Sequence, residues 1–304
     1  MVSRRMHDNE VDIDVSLVTR LLTRQFPRWA GLPIEPIQSA GTDNAIYRLG
    51  DEMCARLPIM PNAALRVDKE HKWLPRLAPL LSLPISNPRA KGDPDEGYPF
   101  HWSVYQWIEG ENATIELIAD LVKAARDLAA FIATLQRIDI TDGPPPGSHN
   151  FFRGEPLVMR DSETRAAIKT LHRLIDTGAA TSAWEASLRS PAWSDPPIWI
   201  HGDLQPGNLL AQEGRLSAVI DFGGLGVGDP ACDLQVAWNL LSVEARDVFR
   251  AELAVDDATW VRGRGWALSC GLIALPYYQE TNPVLAGISR RAIDEVLADY
   301  KSGV

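Results

Sequence analysis

Three polar residues in the last third of the chain have the types and the spacing that phosphoryl transfer requires. Asp203 is followed by Asn208 after five residues and by Asp221 after eighteen. A positioned carboxylate can orient or deprotonate a hydroxyl group. Carboxylate and amide oxygens also bind Mg²⁺ that bridges the phosphates of a nucleotide. We therefore predict Asp203 as the catalytic base, and Asn208 and Asp221 as catalytic residues that bind Mg²⁺.

Two predicted strands must bring these side chains together. An apolar strand that begins at Ile198 leads into the turn that contains Asp203, and a second apolar stretch, residues 216–220, directly precedes Asp221. Short apolar runs bounded by turn residues are typical of strands. Because a short turn connects the two strands, we expect Asp203, Asn208 and Asp221 to lie at neighbouring strand ends.

The rest of the sequence changes from strand-rich to helix-rich near Gly110. Before this point, apolar runs and glycine turns predict strands within residues 34–58 and over 100–108. Apolar residues that recur with a helical period predict the helices. The predicted helices cover residues 12–26, 62–80, 115–137, 162–176, 182–189, 233–253, 257–275 and 284–300. This order indicates a smaller strand-rich part followed by a larger helical part.

The residues around Asp203 resemble a known family. His201, Asp203 and Asn208 form the pattern HxDxxxxN, which is followed by Asp221 and by Gly-Asp-Pro-Ala-Cys-Asp-Leu at 228–234. Together they resemble the aminoglycoside phosphotransferase and choline-kinase-like family, which includes macrolide phosphotransferases and is related to the protein kinases. The form His-Gly-Asp, in place of His-Arg-Asp, and the lack of an Ala-Pro-Glu segment favour kinases of small molecules over protein kinases.

This resemblance implies the fold and the division of the chain. It implies an α+β, bilobal protein-kinase-like fold with a small strand-rich N-lobe and a larger, mostly helical C-lobe. We expect residues 1–108 to form the nucleotide-binding N-lobe, with residues 1–10 disordered. We expect residues 109–304 to form the catalytic and acceptor-binding C-lobe.

The resemblance also implies residues that bind the nucleotide. Gly41 and Asn44 lie where the family has its nucleotide loop, although this loop has only one glycine. Arg56 occupies the position on the third strand where the family usually has lysine, and Glu70 lies on the next helix. Arginine remains charged and can bind a phosphate group through two nitrogen atoms. The arginine leaves the choice between ATP and GTP open.

Other positions in the motif have backbone or supporting roles by the same resemblance. Gln106 and Ile108 lie in the hinge segment, where the carbonyl of the first and the amide of the second are expected to bind the nucleotide base. His201 is expected to organise the turn and support Asp203. Asp229 and Asp233 are expected to brace the loop or to cap the following helix.

The acceptor site is expected in the C-lobe. Candidate acidic or aromatic residues that contact the acceptor are Glu155, Asp161, Trp238, Tyr277, Tyr278 and Glu280. The resemblance implies Mg²⁺-dependent transfer of the γ-phosphate of ATP or GTP to a hydroxyl of a small molecule. Antibiotics of the aminoglycoside or macrolide type come first as acceptors. The alternatives are a kinase of a metabolite such as an amino alcohol or a sugar, a nucleotide-binding pseudokinase that acts as an interaction module, and a protein kinase.

Composition limits the partners. The formal net charge of −10 disfavours nucleic acid and anionic membranes, and weakly favours a cationic acceptor. No apolar stretch reaches the roughly 20 residues needed to span a bilayer, and the start of the chain lacks the apolar segment of a signal peptide. Three widely separated cysteines without a CxxC pattern indicate neither a disulfide framework nor a structural zinc site. We therefore expect a cytoplasmic monomer or homodimer.

Overall fold

The chain divides into two compact units, seen in a computed structural model that describes residues 11–37 and 43–302. The first unit contains the described residues up to Pro79 together with Pro84–Glu109. The second contains Leu80–Leu83 and the described residues from Gly110 onward. Residues 1–10, for which we expect disorder, lie outside the described part of the chain.

An antiparallel sheet and two long helices form the first unit. Its elements are α1 (Val15–Gln25), β1 (Ile34–Ile37), β2 (Asn44–Leu49), β3 (Met53–Pro58), α2 (Pro61–Leu77), β4 (Pro88–Gly92) and β5 (Trp102–Gln106). The strand order is β1-β2-β3-β5-β4. Asp14 caps α1 by accepting a hydrogen bond from the backbone N–H of Leu17 at 2.7 Å. The buried Leu21 and Leu22 of α1 share one hydrophobic core with Trp102.

Arg56 and Glu70, two residues predicted to bind the nucleotide, lie on neighbouring elements of this unit. Arg56 lies on β3, the central strand, and Glu70 lies on α2. The helix continues through Pro75, because this proline falls in the last turn and removes only one helical hydrogen bond. The amide of Ala78 still donates to the carbonyl of Leu74. Strand β4, which the sequence did not indicate, is an edge strand, and an edge tolerates proline at its first position.

The second unit is mostly helical and contains two small antiparallel sheets. Its elements are β6 (Glu111–Asn112), α3 (Leu121–Gln136), α4 (Asp161–Thr170), α5 (Thr177–Leu188), β7 (Ile198–Ile200), β8 (Leu209–Gln212), β9 (Arg215–Val219), β10 (Gly226–Gly228), α6 (Val236–Asn239), α7 (Val243–Leu253), α8 (Asp257–Tyr278) and α9 (Pro283–Ser302). One sheet has the order β6-β8-β9, and β7 pairs with β10 in the other. The single helix predicted over 233–253 is broken before Ser242, whose side chain caps α7 by accepting from the amide of Ala245.

The longest helix of the second unit, α8, is closely packed along its length. A Cβ atom at Gly263 would lie 2.6 Å from the Cβ of Leu234, and one at Gly265 would lie 2.6 Å from a methyl group of Leu157. Glycine at these positions therefore allows two neighbouring segments to contact the helix. No helix within residues 11–37 or 43–302 combines the length and the apolar character that crossing a membrane would require.

Candidate active site

The turn after β7 brings Asp203 and Asn208 into direct contact. The Asn208 side-chain Nδ2 donates to the Asp203 backbone carbonyl at 2.8 Å and to Asp203 Oδ2 at 2.9 Å. Gln205 Nε2 lies 3.3 Å from the same carboxylate oxygen. The side chain of Asp203 remains 35% exposed, so a substrate hydroxyl can reach it, whereas Asn208 is buried. The five-residue spacing therefore closes a turn that fixes the carboxylate from one side.

The pairing of β8 with β9 brings Asp221 to the same strand ends as Asn208. Leu209 pairs with Val219, and the amide of Ile220 donates to the carbonyl of Asn208 at 2.9 Å. Asp221 follows with a left-handed backbone (φ 56°), and its Oδ1 accepts from the amide of Gly223 at 3.2 Å. The structure thus brings Asp203, Asn208 and Asp221 to neighbouring strand ends, which is the arrangement we expect.

Both ring nitrogens of His201 are engaged in holding this arrangement. Nε2 lies 3.1 Å from the carbonyl of Ile220, and Nδ1 lies 3.2 Å from the backbone amide of Asp203. Only the tautomer that carries its proton on Nε2 satisfies both contacts, because a carbonyl accepts and an amide donates. The ring is fully buried. His201 therefore ties the turn of Asp203 to the strand end before Asp221, which is the supporting role that we expect for it.

Asp233 holds the start of the same turn through two hydrogen bonds. Its Oδ2 accepts from the amide of His201 at 2.8 Å, and its Oδ1 accepts from the amide of Gly202 at 2.7 Å. Burial raises the pKa of Asp233, and the two backbone hydrogen bonds and the neighbouring His201 oppose that rise. Gly202 has φ 84°, and its backbone passes directly against Gly224, so a side chain fits at neither position.

Asp229 has the second bracing role. Its Oδ1 accepts from the amide of Ala231 at 3.0 Å and so caps the turn Pro230–Gln235. The same carboxylate pairs with Arg262 of α8, with 2.8 Å between Arg262 Nε and Asp229 Oδ2. Each of these two side chains is only 4% exposed. Asp229 and Asp233 are therefore structural residues of the site, as we expect.

A residue that the sequence analysis did not single out also contacts the predicted base. Arg153 Nη2 lies 3.4 Å from Asp203 Oδ1, and its Nη1 donates to Cys270 Sγ at 2.7 Å. Arg153 lies 50 residues before Asp203, in a loop without hydrophobic periodicity. No spacing rule connects these positions, so only the three-dimensional structure shows the contact.

The oxygen atoms at these strand ends fit Mg²⁺. Asn208 uses its Nδ2 for Asp203, which leaves Oδ1 as the amide atom that can bind a cation. Asp221 supplies a carboxylate at the neighbouring strand end. Mg²⁺ is commonly bound by one or two protein oxygen ligands, with water and substrate phosphates completing its octahedron. Within the described ranges no larger group of metal-binding side chains occurs.

In the first unit, Arg56 is held by two partners. Its Nη1 lies 3.2 and 3.3 Å from the two carboxylate oxygens of Glu70. In the amide orientation that its neighbours require, Asn44 Oδ1 accepts from Arg56 Nε and Nη2, both at 3.1 Å. Glu70 is buried and also accepts a hydrogen bond from the Tyr105 hydroxyl. Burial, followed by the charge of Glu70, raises the pKa of Tyr105, so this hydroxyl remains a donor.

The other residues predicted to bind the nucleotide are Gly41, Gln106 and Ile108. Gly41 lies outside the described residues. Gln106 ends β5, and its carbonyl already accepts from the Ser86 hydroxyl at 2.9 Å, which leaves one lone pair for a nucleotide base. Ile108 follows two residues after the end of the strand, in irregular backbone.

The acceptor candidates do not form one cluster. Trp238 is fully buried, its indole donates to Asp299 at 3.3 Å, and its ring packs against Trp260, so it belongs to the helical core and does not contact an acceptor. Asp161 accepts from Trp184 at 2.7 Å and from Arg165 at 2.8 Å at the start of α4.

The remaining acceptor candidates have more accessible positions. Tyr277 is 44% exposed and packs edge-to-face on Tyr278 near the end of α8. Glu280 is exposed two residues beyond this helix. Glu155 is half-buried and lies two residues after Arg153, which makes it the candidate nearest in sequence to a residue that contacts Asp203.

Comparisons with known proteins show the family of this chain. A family model described as "Phosphotransferase enzyme family" matches residues 34–266. An aminoglycoside 3'-phosphotransferase of Escherichia coli is 40% identical over 62 residues, which are 20% of this chain and 23% of that protein. An aminoglycoside 3'-phosphotransferase of Salmonella typhimurium is 34% identical over 58 residues, 19% of this chain and 21% of that protein. The matched segment thus spans less than a quarter of these relatives.

Solved structures show the same fold over nearly the whole chain. A complex of APH(2'')-IIIa with GDP and kanamycin has a TM-score of 0.72 at 19% identity, and the match covers 93% of this chain and 98% of that one. A macrolide 2'-phosphotransferase from Brachybacterium faecium has a TM-score of 0.60 at 19% identity, with 92% and 98% coverage. These similarities confirm the predicted α+β, protein-kinase-like fold class.

Proposed function

This chain belongs to the phosphotransferase enzyme family, and we propose that it transfers the γ-phosphoryl group of ATP or GTP to a hydroxyl of a small molecule. The observation that carries this proposal is the turn in which Asn208 donates a hydrogen bond to the partly exposed carboxylate of Asp203. Strand β9, which pairs with β8, places Asp221 at the same strand ends. Phosphoryl transfer depends mainly on positioning and on neutralising charge, and these residues provide both.

We propose the following roles for the site residues of the second unit. The acceptor hydroxyl is oriented by Asp203, which takes its proton as the oxygen forms a bond to the γ-phosphorus and the bond from phosphorus to the bridging oxygen breaks. Asn208 Oδ1 and the Asp221 carboxylate are the atoms that would hold Mg²⁺, whose charge stabilises the phosphates when it is bound. His201 and Asp233 keep the turn in place and do not contact the reacting atoms.

In the first unit, we propose that Arg56 binds a phosphate group of the nucleotide. Asn44 and Glu70 fix its guanidinium from two sides, which reduces the conformational entropy that binding would cost. We further propose that residues 1–108 form the nucleotide-binding lobe and residues 109–304 the catalytic and acceptor-binding lobe.

We expect Arg56→Met to raise the KM for the nucleotide about 10- to 100-fold, since a hydrogen bond to a charged group contributes about 1.5–3 kcal/mol. Arg56→Lys should give an intermediate value, because one ammonium group cannot contact Asn44 and Glu70 with the geometry of a guanidinium. Steady-state kinetics with ATP and with GTP measure both. Arg76→Met, at an exposed position in the last turn of α2, is the matched control and should leave the KM unchanged. An equal KM for all three variants would refute this role.

For the acceptor, the relatives support an antibiotic. Kanamycin is bound in one of the similar structures, and macrolide phosphotransferases share the fold. A kinase of an amino alcohol or a sugar within the same family is the alternative. A pseudokinase is disfavoured because Asp203, Asn208 and Asp221 are all present and brought together.

The experiment that tests this function measures ATP and GTP consumption by the purified protein across aminoglycosides, macrolides, amino alcohols and sugars, with and without Mg²⁺. Acceptor-stimulated consumption that requires Mg²⁺ supports the proposal and identifies the acceptor class. Nucleotide-dependent thermal stabilisation without any consumption would instead indicate a pseudokinase.

A further inference from the structure

The loop that carries Arg153 is held in an unfavourable backbone conformation. Phe151 and Phe152 both have φ 56°, in the left-handed region that bulky residues rarely adopt, and their side chains are about half exposed. The fully buried Asn150 holds the loop, because its Oδ1 accepts from the amide of Gly147 at 2.9 Å and its Nδ2 donates to the carbonyl of Arg153 at 3.0 Å. Such strain persists where the surroundings enforce it, and it concentrates at ligand sites.

Two guanidinium groups from this segment pack on a single indole ring. The guanidinium carbons of Arg153 and Arg160 lie 5.3 and 5.1 Å from the centre of the Trp266 ring. Arg160 Nε donates to the Ser269 hydroxyl at 2.8 Å, which fixes the plane of its guanidinium. We call Arg153 and Arg160 the arginine pair. Arg153 lies 3.4 Å from Asp203, and Arg160 contacts the same Trp266 ring as Arg153.

The positive charge of the arginine pair is only partly balanced. Within the described residues, Asp203 is the carboxylate that forms an ion pair with Arg153, and Arg160 forms none. Neither Nη atom of Arg160 donates to any group in this part of the chain. The buried Nε of Arg153 and Nε1 of Trp266 also have no hydrogen-bond partner among the described residues. Burial lowers the pKa of Arg160; Cys270 opposes this effect, the like charge of Arg153 adds to it, and the carboxylate of Glu163 opposes it.

We propose that the arginine pair binds an anionic group of the acceptor, a carboxylate in the first instance, and that the acceptor is an apolar hydroxy acid rather than a polycation. A guanidinium with two available Nη groups matches the two oxygens of a carboxylate. The charge of Arg153 is paired with Asp203, whereas Arg160 forms no ion pair within the described residues, so the guanidinium of Arg160 attracts an anion and repels a polycation. The same segment also carries exposed apolar side chains that can contact the rest of the molecule. These are Phe151, Phe152, Val158 and Met159.

This inference rests on the proposed function for its site and deepens it by naming the class of acceptor. It also reverses the expectation from net charge, because the segment that contacts the base carries a guanidinium without a paired carboxylate among the described residues, although the whole chain carries −10. The charge that an acceptor meets is set by the nearest groups, since charges beyond about 8–10 Å are largely screened at physiological salt.

The test uses three probes that differ in charge: ω-hydroxyoctanoate, its methyl ester and ω-amino-octanol. Calorimetric titration into the full-length protein measures binding without requiring turnover. We expect the hydroxy acid to bind at least tenfold more tightly than the amine, and Arg160→Met to remove this preference. Arg165→Met, on the same stretch of chain but exposed and paired with Asp161, is the matched control and should keep it.

The outcomes separate this inference from the proposed function. If Arg160→Met removes the preference for the acid, this result supports the arginine pair. It does so even if no probe stimulates nucleotide consumption, an outcome that would count against the proposed function. Phosphorylation of kanamycin with the same kcat/KM in wild type and Arg160→Met would support the proposed function and overturn the inference. A higher KM for ATP in Arg160→Met would also overturn it, because the pair would then bind the nucleotide's own phosphates. Equal binding of all three probes, or binding of none, overturns it as well.

Discussion

Asp203→Asn is expected to lower acceptor-stimulated turnover by about 10²- to 10⁴-fold, the range that a positioned general base contributes. All described polar contacts to this carboxylate are made by donors. Asn208 Nδ2 lies 2.9 Å, Gln205 Nε2 3.3 Å and Arg153 Nη2 3.4 Å from its oxygen atoms. An amide of the same size cannot accept at both positions, and it cannot take a proton from the acceptor. The replacement therefore removes the base and disturbs its orientation at the same time.

The loss should fall on kcat and leave nucleotide binding intact. Asp203 is not among the atoms that we assign to Mg²⁺ or to the phosphates, so the dissociation constant of ATP, measured by calorimetry with Mg²⁺, should change less than threefold. Asp195→Asn, in an exposed loop, is the matched control and should have wild-type kinetics. If Asp203→Asn kept its turnover, or lost ATP binding together with turnover, the assignment of Asp203 as base would be wrong.

The turn that contains Asp203 and Asn208 could be predicted from sequence because its geometry is local. Five residues separate Asp203 from Asn208, and a strand pair connects them to Asp221, so short-range rules of turns and strands suffice. The supporting positions of His201 and Asp233 followed from the family resemblance. Their hydrogen bonds to the turn show the physical reason for that pattern, since each satisfies backbone groups that would otherwise be buried without partners.

What the sequence could not show depends on contacts between distant segments. Arg153 reaches Asp203 across 50 residues of sequence from an irregular loop, where neither periodicity nor spacing carries information. Trp238, which we predicted to contact the acceptor, lies in the core, and no sequence pattern shows this. An aromatic residue on a helix is compatible with both a core and a binding site, and only its complete burial against Trp260 decides between them.

Arg262→Met is expected to lower the free energy of unfolding by about 3–5 kcal/mol, because it leaves the carboxylate of Asp229 buried without its counter-charge. Both side chains are 4% exposed, and Arg262 also donates to the carbonyl of Pro191 at 2.7 Å. Urea unfolding measures the change. Arg126→Met, which breaks the exposed pair of Arg126 with Glu252, is the matched control and should cost no more than about 1 kcal/mol.

A second replacement distinguishes the buried charge from lost packing. Asp229→Asn in the Arg262→Met background removes the uncompensated charge and keeps a side-chain oxygen to cap the amide of Ala231, so it should restore more than half of the lost stability. No recovery would mean that Arg262 stabilises the protein through packing and through Pro191.

The same pair also affects the loop next to Arg153. Because the backbone N–H of Asp229 donates to the carbonyl of Gly154 at 2.9 Å, Arg262→Met alone should loosen this loop. The KM for the acceptor should therefore rise in Arg262→Met and recover in the double variant, which links the stability of this pair to the position of Arg153 beside Asp203.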